Sequence, residues 1–389
     1  MNNKKRQLNY IIMHMLFWCG YVVTWSYTAV YLEYYGFDNA VVGMVTGVGA
    51  ILSVILQPLL ALAVQKADAV TTKKNIIVLK MAAIAFAVVM WLEPSGKWVI
   101  AVLFMVIAAI DAAIPSMLSS LAMEQMNAGR KINYGLARGC GSIVFALFSL
   151  ILGYVIPFME VKWLVLIYAG FSLFVILSCL TFSDTRVNGD TDALEPTSAK
   201  GLLKKYPFLL PFLLGTVLLF MGHNMINIFL LRIIQRAGGS SENLGVALAI
   251  AAILELPVMG AFDRISQKVS INKILIIAAS SFVIKCVLTY LSKSLILVYA
   301  AQTLQLLAFG LYTPASVYFI NKSMDREDSG VGQALLGAFS LGLGGAIGNI
   351  LGGFVIERAQ VSGMLAFSVL LSIVGWCFIL VCVKKRLPE

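Results

Sequence analysis

Four ionisable side chains lie inside long apolar stretches of the sequence, where a charge is costly. They are Asp111 in VIAAIDAAIP, His223 in LFMGHNMINIF, Glu255 in AAILELPVM and Lys285 in SSFVIKCVLTY. In hydrocarbon an ionised side chain costs about 2.5–3.5 kcal/mol on insertion scales, so each one is a functional candidate. Opposite charges facing a shared cavity suit a proton- or cation-coupled carrier, because protonating one partner breaks a pair and biases a two-state packing. Fixed structural pairs, or snorkelling toward water, are the alternative.

Polar groups follow His223 at helical spacing, since Asn224 and Asn227 complete the positions i, i+1 and i+4. This spacing suits the face of a cavity. Hydrogen bonding between helices explains it equally well.

Three aromatic residues near the N-terminus, Trp18, Tyr21 and Trp25, fall on one face of a helix. Aromatic rings can hold the apolar face of a sugar or a flat base while their N–H and O–H groups orient it. Packing or lipid contact is the alternative interpretation.

The sequence contains no constellation typical of an enzyme. We find no metal-ligand spacing, nucleophile elbow or phosphate loop, and the six cysteines are scattered singly. We therefore expect no catalysis, no cofactor and no metal.

Composition indicates that lipid is the solvent around these residues. Hydrophobic residues make up 60% of the chain and charged residues only 12%, and the mean hydropathy is +0.90. Soluble proteins carry roughly a quarter charged residues. Apolar segments predict twelve spans, numbered 1 to 12, at 10–32, 40–64, 75–92, 98–122, 137–159, 162–182, 208–231, 243–262, 273–291, 295–320, 333–356 and 364–383.

The spans fall into two sets of six. We predict an N-terminal six-helix bundle at 1–182, a cytoplasmic linker at 183–207 and a C-terminal six-helix bundle at 208–389. Pro58 and Pro257 lie 199 positions apart, as do Gly153 and Gly352, which indicates duplicated halves. The predicted fold is an all-α integral membrane protein of two pseudo-symmetric bundles, with a substrate site near mid-membrane.

Lys and Arg residues predict the orientation. With the N-terminus inside, 22 of them lie on the cytoplasmic side and six on the other. The inner group consists of Lys4, Lys5, Arg6, Lys66, Lys73, Lys74, Lys80, Arg130, Lys131, Arg138, Arg186, Lys200, Lys204, Lys205, Arg264, Lys268, Lys273, Lys322, Arg326, Lys384, Lys385 and Arg386. Both termini are thus expected in the cytoplasm of a cell-membrane protein. The net charge of +10 could indicate binding to nucleic acid, but this distribution of the positive residues argues against it.

Glycines in span 11 recur every four residues, at Gly344, Gly348 and Gly352. Ridges of small residues let helices approach closely and slide, so we predict a tightly packed helix pair that moves.

A resemblance to a known family rests on the segment NYGLARGCGSIVFALFSLILG. It resembles the oligosaccharide/proton symporter branch of the major facilitator superfamily, which includes the lactose permease and phenylpropionate-permease-like carriers. The matching positions are Tyr134, Gly135, Arg138, Gly141 and Ser142. LQPLLALAVQK and ELP, at 56–66 and 255–257, are similar to the same branch.

The resemblance implies roles for several residues. Arg138 is expected to pair with an acid or hold substrate, Phe145 falls at a substrate-stacking position, and Lys285 belongs to the coupling network. The gating loops correspond to Gln65 and Lys66 in the first half and to Asp263 and Arg264 in the second.

Departures from the family pattern leave the identity of the solute undecided. Ser120 stands where span 4 is expected to carry an acid, and Asp111 is a possible replacement. Gln305 and Ala308 stand where the lactose permease has its coupling histidine and glutamate, and Gln65 replaces the usual acid of its loop.

These observations predict a monomeric transporter that moves a small polar organic solute by alternating access, coupled to protons. A sugar or glycoside is the first substrate expected, followed by a nucleoside or an aromatic acid. Proton-driven efflux by the same fold is the alternative, but it predicts a proline-bearing glycine motif in span 5, and 139–153 contains no proline. A non-transporting membrane sensor is a more distant alternative, since such proteins usually add a soluble domain.

Overall fold

The computed structural model describes residues 3–66, 71–94, 96–182, 199–325 and 328–384, without the side chains of 61, 62, 65, 66, 199, 200 and 384. The chain divides into two compact units, Met1–Gly189 and Asp190–Glu389. Within the described ranges the regular structure is helical, and no strand occurs.

The first unit contains spans 1 to 6. Span 1 comprises a helix at Asn3–Tyr21, a π-helical turn at Val22–Ser26 and a short helix at Thr28–Tyr34. Spans 2 to 6 are the helices Asn39–Lys66, Thr72–Trp91, Lys97–Asn127, Tyr134–Val155 and Trp163–Leu180, and a 3-10 turn at Ile156–Phe158 extends span 5.

The second unit contains spans 7 to 12. After a short helix at Ala199–Lys205, span 7 runs over Leu209–Ile228 and is continued by Leu230–Arg236. Span 8 is Ser241–Gly260, followed by a short helix at Phe262–Lys268, and span 9 is Ile271–Leu291. Span 10 is interrupted: its helices Leu295–Thr303 and Phe309–Ser323 flank a 3-10 turn at Leu304–Leu306. The last helices are Ser329–Gly337, the π-helical turn Ala338–Gly344, and Gly345–Lys384.

Twelve bilayer crossings follow from these helices. Among the described residues, eleven helical segments are long and apolar enough to span a membrane, and the last, Ser329–Val383, has 55 residues. At about 1.5 Å per residue it would exceed 80 Å, more than twice the roughly 30 Å of a hydrocarbon core. A non-helical residue, Gln360 (φ 58°), breaks this segment into spans 11 and 12. The prediction of a twelve-span, all-α membrane protein is confirmed.

The glycines of span 11 lie against the backbone of span 7. A Cβ at Gly348 would fall 2.7 Å from the carbonyl oxygen of Met221, and one at Gly344 would fall 2.8 Å from the Cβ of Phe220. No side chain larger than hydrogen fits such distances, so the predicted close helix pair is present.

Packing within the first unit brings the polar side chains of four spans together. Span 1 packs against spans 5 and 6, while span 3 packs against spans 4 and 6. Spans 1, 3, 4 and 6 therefore share an interior in which a polar group of one can reach the others.

Candidate functional site

A buried ion pair joins spans 3 and 4 in the first unit. The Lys80 Nζ lies 2.6 Å from the Asp111 Oδ1, and both side chains are 1% exposed. Removing two charges from water costs several kcal/mol per ion, and the cost is recovered only with good geometry and further hydrogen bonds.

Those further hydrogen bonds come from spans 1 and 6. The Thr24 hydroxyl donates to the Asp111 Oδ2 at 2.7 Å, and the Tyr168 hydroxyl donates to the Oδ1 at 2.9 Å. The Lys80 ammonium also lies over the rings of Phe17 and Tyr168, at 5.1 and 5.0 Å from their centroids. The carboxylate thus accepts from three donors on three helices, and the ammonium is partly surrounded by aromatic faces.

The π-helical turn Val22–Ser26 carries Thr24. Such turns are rare and frequently occur at functional sites. Here the turn places a hydroxyl against Asp111 between two aromatic residues of the same span, Tyr21 and Trp25.

The aromatic residues of span 1 adjoin this ion pair through that turn. Tyr21 and Trp25 are stacked, with ring centroids 5.8 Å apart and planes at 14°, and Trp18 meets Tyr21 edge to face at 5.1 Å. The three rings are half-buried. The predicted aromatic face is therefore present, and part of it is accessible.

Arg138 of span 5 completes this face. Its guanidinium carbon lies 4.1 Å from the centroid of the Trp18 ring, and its Nη1 donates to the Ser142 hydroxyl at 2.6 Å. The buried Trp18 Nε1 has no hydrogen-bond partner in the part of the chain that the structure describes. Phe145 reaches the same tryptophan edge to face, with centroids 6.2 Å apart. An arginine and an indole N–H beside aromatic rings can bind a polar, hydroxyl-bearing solute.

A glycine permits this arrangement. A Cβ at Gly141 would fall 2.3 Å from the Trp18 Cδ1, so any larger residue would displace the indole. Gly141 belongs to the motif that carries the family resemblance, and its physical role is to admit the tryptophan.

In the second unit, His223 lies in an aromatic enclosure. Its ring is stacked on Phe309 (5.3 Å between centroids, 14° between planes) and meets Phe282 edge to face at 5.4 Å. The Nε2 is hydrogen-bonded to the Asn227 amide at 2.9 Å, whereas the buried Nδ1 has no such partner within the described residues.

Asn224 lies outside this aromatic enclosure. It is buried, donates from its Nδ2 to the Phe220 carbonyl of its own helix at 2.9 Å, and lies close to Gly345 of span 11. Adjacent helical positions differ by about 100° in direction, which accounts for the split between Asn224 and the pair His223–Asn227. Among the described residues, the hydrogen bonds of all three side chains stay within span 7, so they support neither a cavity face nor a hydrogen bond between helices.

Lys285 of span 9 is 1% exposed and donates to the Gln305 Oε1 at 2.5 Å. Gln305 belongs to the 3-10 turn that interrupts span 10. The residue that departs from the family pattern in the sequence is therefore the hydrogen-bond partner of the lysine.

Glu255 is half-buried on span 8, within electrostatic range of Lys285, and its backbone approaches Gly310 of span 10. The other predicted residues lie apart from these groups. Asp263 and Arg264 are exposed on the short helix after span 8, and Asp263 accepts from the Tyr318 hydroxyl at 2.7 Å. The side chains of Gln65 and Lys66, like most of the linker, lie outside the described residues.

One expectation from the sequence needs correction. Lys80, counted among the cytoplasmic charges, is a buried residue of span 3 and the ion-pair partner of Asp111. Ser120 donates to the Ser116 carbonyl of its own helix, and the acid of span 4, Asp111, is paired with Lys80.

The comparisons agree with this architecture, which is that of a multi-pass membrane protein. The sequence model of the MFS_1 like family matches residues 8–369, so the chain belongs to this family of major facilitator transporters.

Similar proteins support the same class. A maltose permease of Geobacillus stearothermophilus is 25% identical over 98% of this chain and 95% of its own length. The uncharacterized transporter YwbF of Bacillus subtilis is 24% identical over 73% of this chain and 71% of its own length.

Solved structures show the same fold. The nucleoside transporter NupG superposes with a TM-score of 0.81 at 15% identity, over 100% of each chain. A bacterial homologue of the human lysosomal transporter Spinster gives a TM-score of 0.69 at 14% identity, over 98% of this chain and 97% of that one. The predictions of a major facilitator fold and of a transporter rather than an enzyme are confirmed.

Proposed function

We propose that the protein is a secondary transporter that moves a small polar organic solute by alternating access in symport with protons. It works as a monomer in the cell membrane with both termini in the cytoplasm. The observation that carries the proposal is the buried Lys80–Asp111 pair beside the aromatic and arginine face of spans 1 and 5.

A sugar or glycoside is the first substrate that this face suits. The stacked Tyr21–Trp25 pair presents apolar ring surface, while the Arg138 guanidinium and the Trp18 Nε1 supply donors for hydroxyl groups. Similarity to a maltose permease supports a sugar. A nucleoside or an aromatic acid stacks on the same rings and comes next.

Asp111 is the proposed proton acceptor. Protonation of its carboxylate would remove the charge that holds the Lys80 ammonium and would change the hydrogen bonds from Thr24 and Tyr168. The ion pair between spans 3 and 4 would then be lost, while the neutral carboxyl could still accept from the hydroxyls of spans 1 and 6. This is a local charge event that can bias a two-state element.

Lys285 is the proposed second member of the coupling system. Its ammonium is buried and hydrogen-bonded to a neutral amide. A solute or a proton that binds nearby would therefore change the free energy of keeping this charge buried. Glu255 and His223 are the other titratable groups proposed for this half.

Uptake by purified protein in proteoliposomes tests the proposal. We expect accumulation of radiolabelled maltose, or of a nucleoside or aromatic acid if the sugar fails, when the outside is more acidic than the inside. The Lys285→Gln variant is expected to lose the response to the gradient, and a thermal-shift screen identifies the solute beforehand. Uptake that is indifferent both to the gradient and to Lys285→Gln would refute proton coupling.

A further inference from the structure

The first unit contains a cavity of about 810 Å³ at the end of the bundle where the chain begins. The starts of spans 1 and 5, the end of span 4 and the loop at 128–133 line it. It lies at the opposite end of span 1 from the π-helical turn and belongs to no part of the proposed transport site.

The charge of this cavity has one sign. Lys4, Arg130 and Lys131 line it, and none of its described lining residues is acidic. The Arg130 Nη1 donates to the neutral amide oxygen of Gln125 at 2.5 Å, and Lys131 is exposed. An anion that enters the cavity would therefore meet cations without an intervening carboxylate.

Along the helices the cavity changes from cationic to apolar. On span 1 the lining passes from Lys4 to Leu8 and Ile11, which follow each other on one helix face over about 10 Å. From the loop into span 4 it passes from Arg130 to Met126. Leu8 and Met126 are 58% and 44% exposed, so apolar surface is available next to the charges.

We propose that this cavity binds an anionic phospholipid, with the phosphate between Arg130 and Lys131 and an acyl chain along Leu8 and Ile11. Cations at the end of a bundle and apolar side chains deeper in it match the headgroup and tail of one lipid molecule. The Lys and Arg distribution predicts that this end faces the cytoplasm, where anionic lipids attract basic segments. The site acts independently of the solute.

Native mass spectrometry of the detergent-solubilised protein tests this inference. With equal amounts of phosphatidylglycerol and phosphatidylcholine added, we expect the wild type to retain phosphatidylglycerol preferentially. The Arg130→Gln/Lys131→Gln variant is expected to retain about thirtyfold less of it, the factor that corresponds to two cations of about 1 kcal/mol each near a membrane surface. The control Lys97→Gln/Lys162→Gln removes equal charge from the other end of the bundle and should behave as the wild type.

Three results would overturn the proposal. They are equal retention of both lipids by the wild type, unchanged retention by the Arg130/Lys131 variant, and displacement of phosphatidylglycerol by millimolar inorganic phosphate, which would indicate a site for free phosphate. Lys131→Glu provides a second variant at an exposed position, where folding is not at stake, and it should also lower retention.

Discussion

Asp111 is the central residue of the proposed transport mechanism. Its carboxylate accepts from Lys80, Thr24 and Tyr168 while 1% exposed. Well-packed apolar residues often replace a buried ion pair without loss of stability, so stability alone does not explain its presence. The proposed role in proton coupling would explain its presence, because charges inside a membrane often mark ion and proton pathways.

Loss of one partner of this pair should be destabilising. For Asp111→Asn we expect a marked fall in the thermal unfolding temperature, because breaking a buried pair leaves an uncompensated charge and costs about 3–5 kcal/mol. The double variant Lys80→Met/Asp111→Leu should regain most of the lost unfolding temperature, but it should not regain proton-coupled transport. If Asp111→Asn unfolds at the wild-type temperature, Lys80 and Asp111 do not form a stabilising pair of opposite charges.

Gly141 offers a test of the aromatic face with a matched control. In Gly141→Ala the new Cβ would collide with the Trp18 ring, whereas in Gly139→Ala nothing lies within 4 Å of the new Cβ. We expect Gly141→Ala to weaken solute binding about tenfold and to shift the tryptophan fluorescence, and Gly139→Ala to do neither. Equal affinity in the two variants would remove Trp18 from the site.

At this scale the sequence identifies charges better than their partners. Asp111 stands out because a carboxylate in an apolar stretch is costly. Lys80 does not, since it follows Lys73 and Lys74 near the predicted inner end of span 3 and resembles a snorkelling residue. Because that helix begins at Thr72, Lys80 lies more than two turns inside it. Thr24 and Tyr168 are uncharged, so the sequence does not mark them as hydrogen-bond partners of Asp111.

Helices are the elements that the sequence predicts well, and their interruptions are those that it misses. Span 5, predicted at 137–159, is the helix Tyr134–Val155, and apolar length alone is enough for such an estimate. The turns Val22–Ser26 and Leu304–Leu306 contain neither glycine nor proline, so no breaker marks them. They nonetheless carry Thr24 and Gln305, which hydrogen-bond to the buried Asp111 and Lys285 respectively.

A tether outside the spans holds the short helix Ala199–Lys205 to the segment after span 10. The Lys205 Nζ lies 2.8 Å from the Asp325 Oδ2 and 2.7 Å from the Asp328 Oδ2. The Tyr206 hydroxyl lies within hydrogen-bond distance of the same two carboxylates, at 2.9 and 2.8 Å, and shares its one proton between them. Hydrogen bonds from Lys205 and Tyr206 lower the pKa of the Asp325 carboxyl.

We expect Lys205→Gln to accelerate hydrogen exchange in the segments 199–206 and 325–332 at pH 7, because it removes the cation that both carboxylates share. Lys204→Gln, at the exposed neighbouring position, should not. A lowered pKa means that the contribution of Asp325 is complete above the ordinary 3.8 of an aspartate and is lost as the pH falls through the lowered value. Equal exchange in the two variants at pH 7 would show that the tether does not order these segments.

For the whole molecule, composition and Lys/Arg distribution predict the class more firmly than the cargo. Removing the buried Lys80 from the inner group leaves the excess of positive residues on that side intact. The solute is not predictable in the same way, because the departures at Ser120 and Gln305 alter the family's polar groups and one fold serves many solutes. Under the proposed function, the rings of Trp18, Tyr21 and Trp25 favour a solute with a face that can stack on them.

Proton coupling through Asp111 is tested by solute uptake into proteoliposomes with an imposed pH gradient, measured in parallel for the wild type and Asp111→Asn. We expect the wild type to accumulate the solute above its outside concentration only when the outside is acidic. Asp111→Asn, reconstituted to the same amount, should equilibrate the solute without responding to the gradient. Gradient-driven accumulation by Asp111→Asn at the wild-type level would rule out Asp111 as the coupling residue.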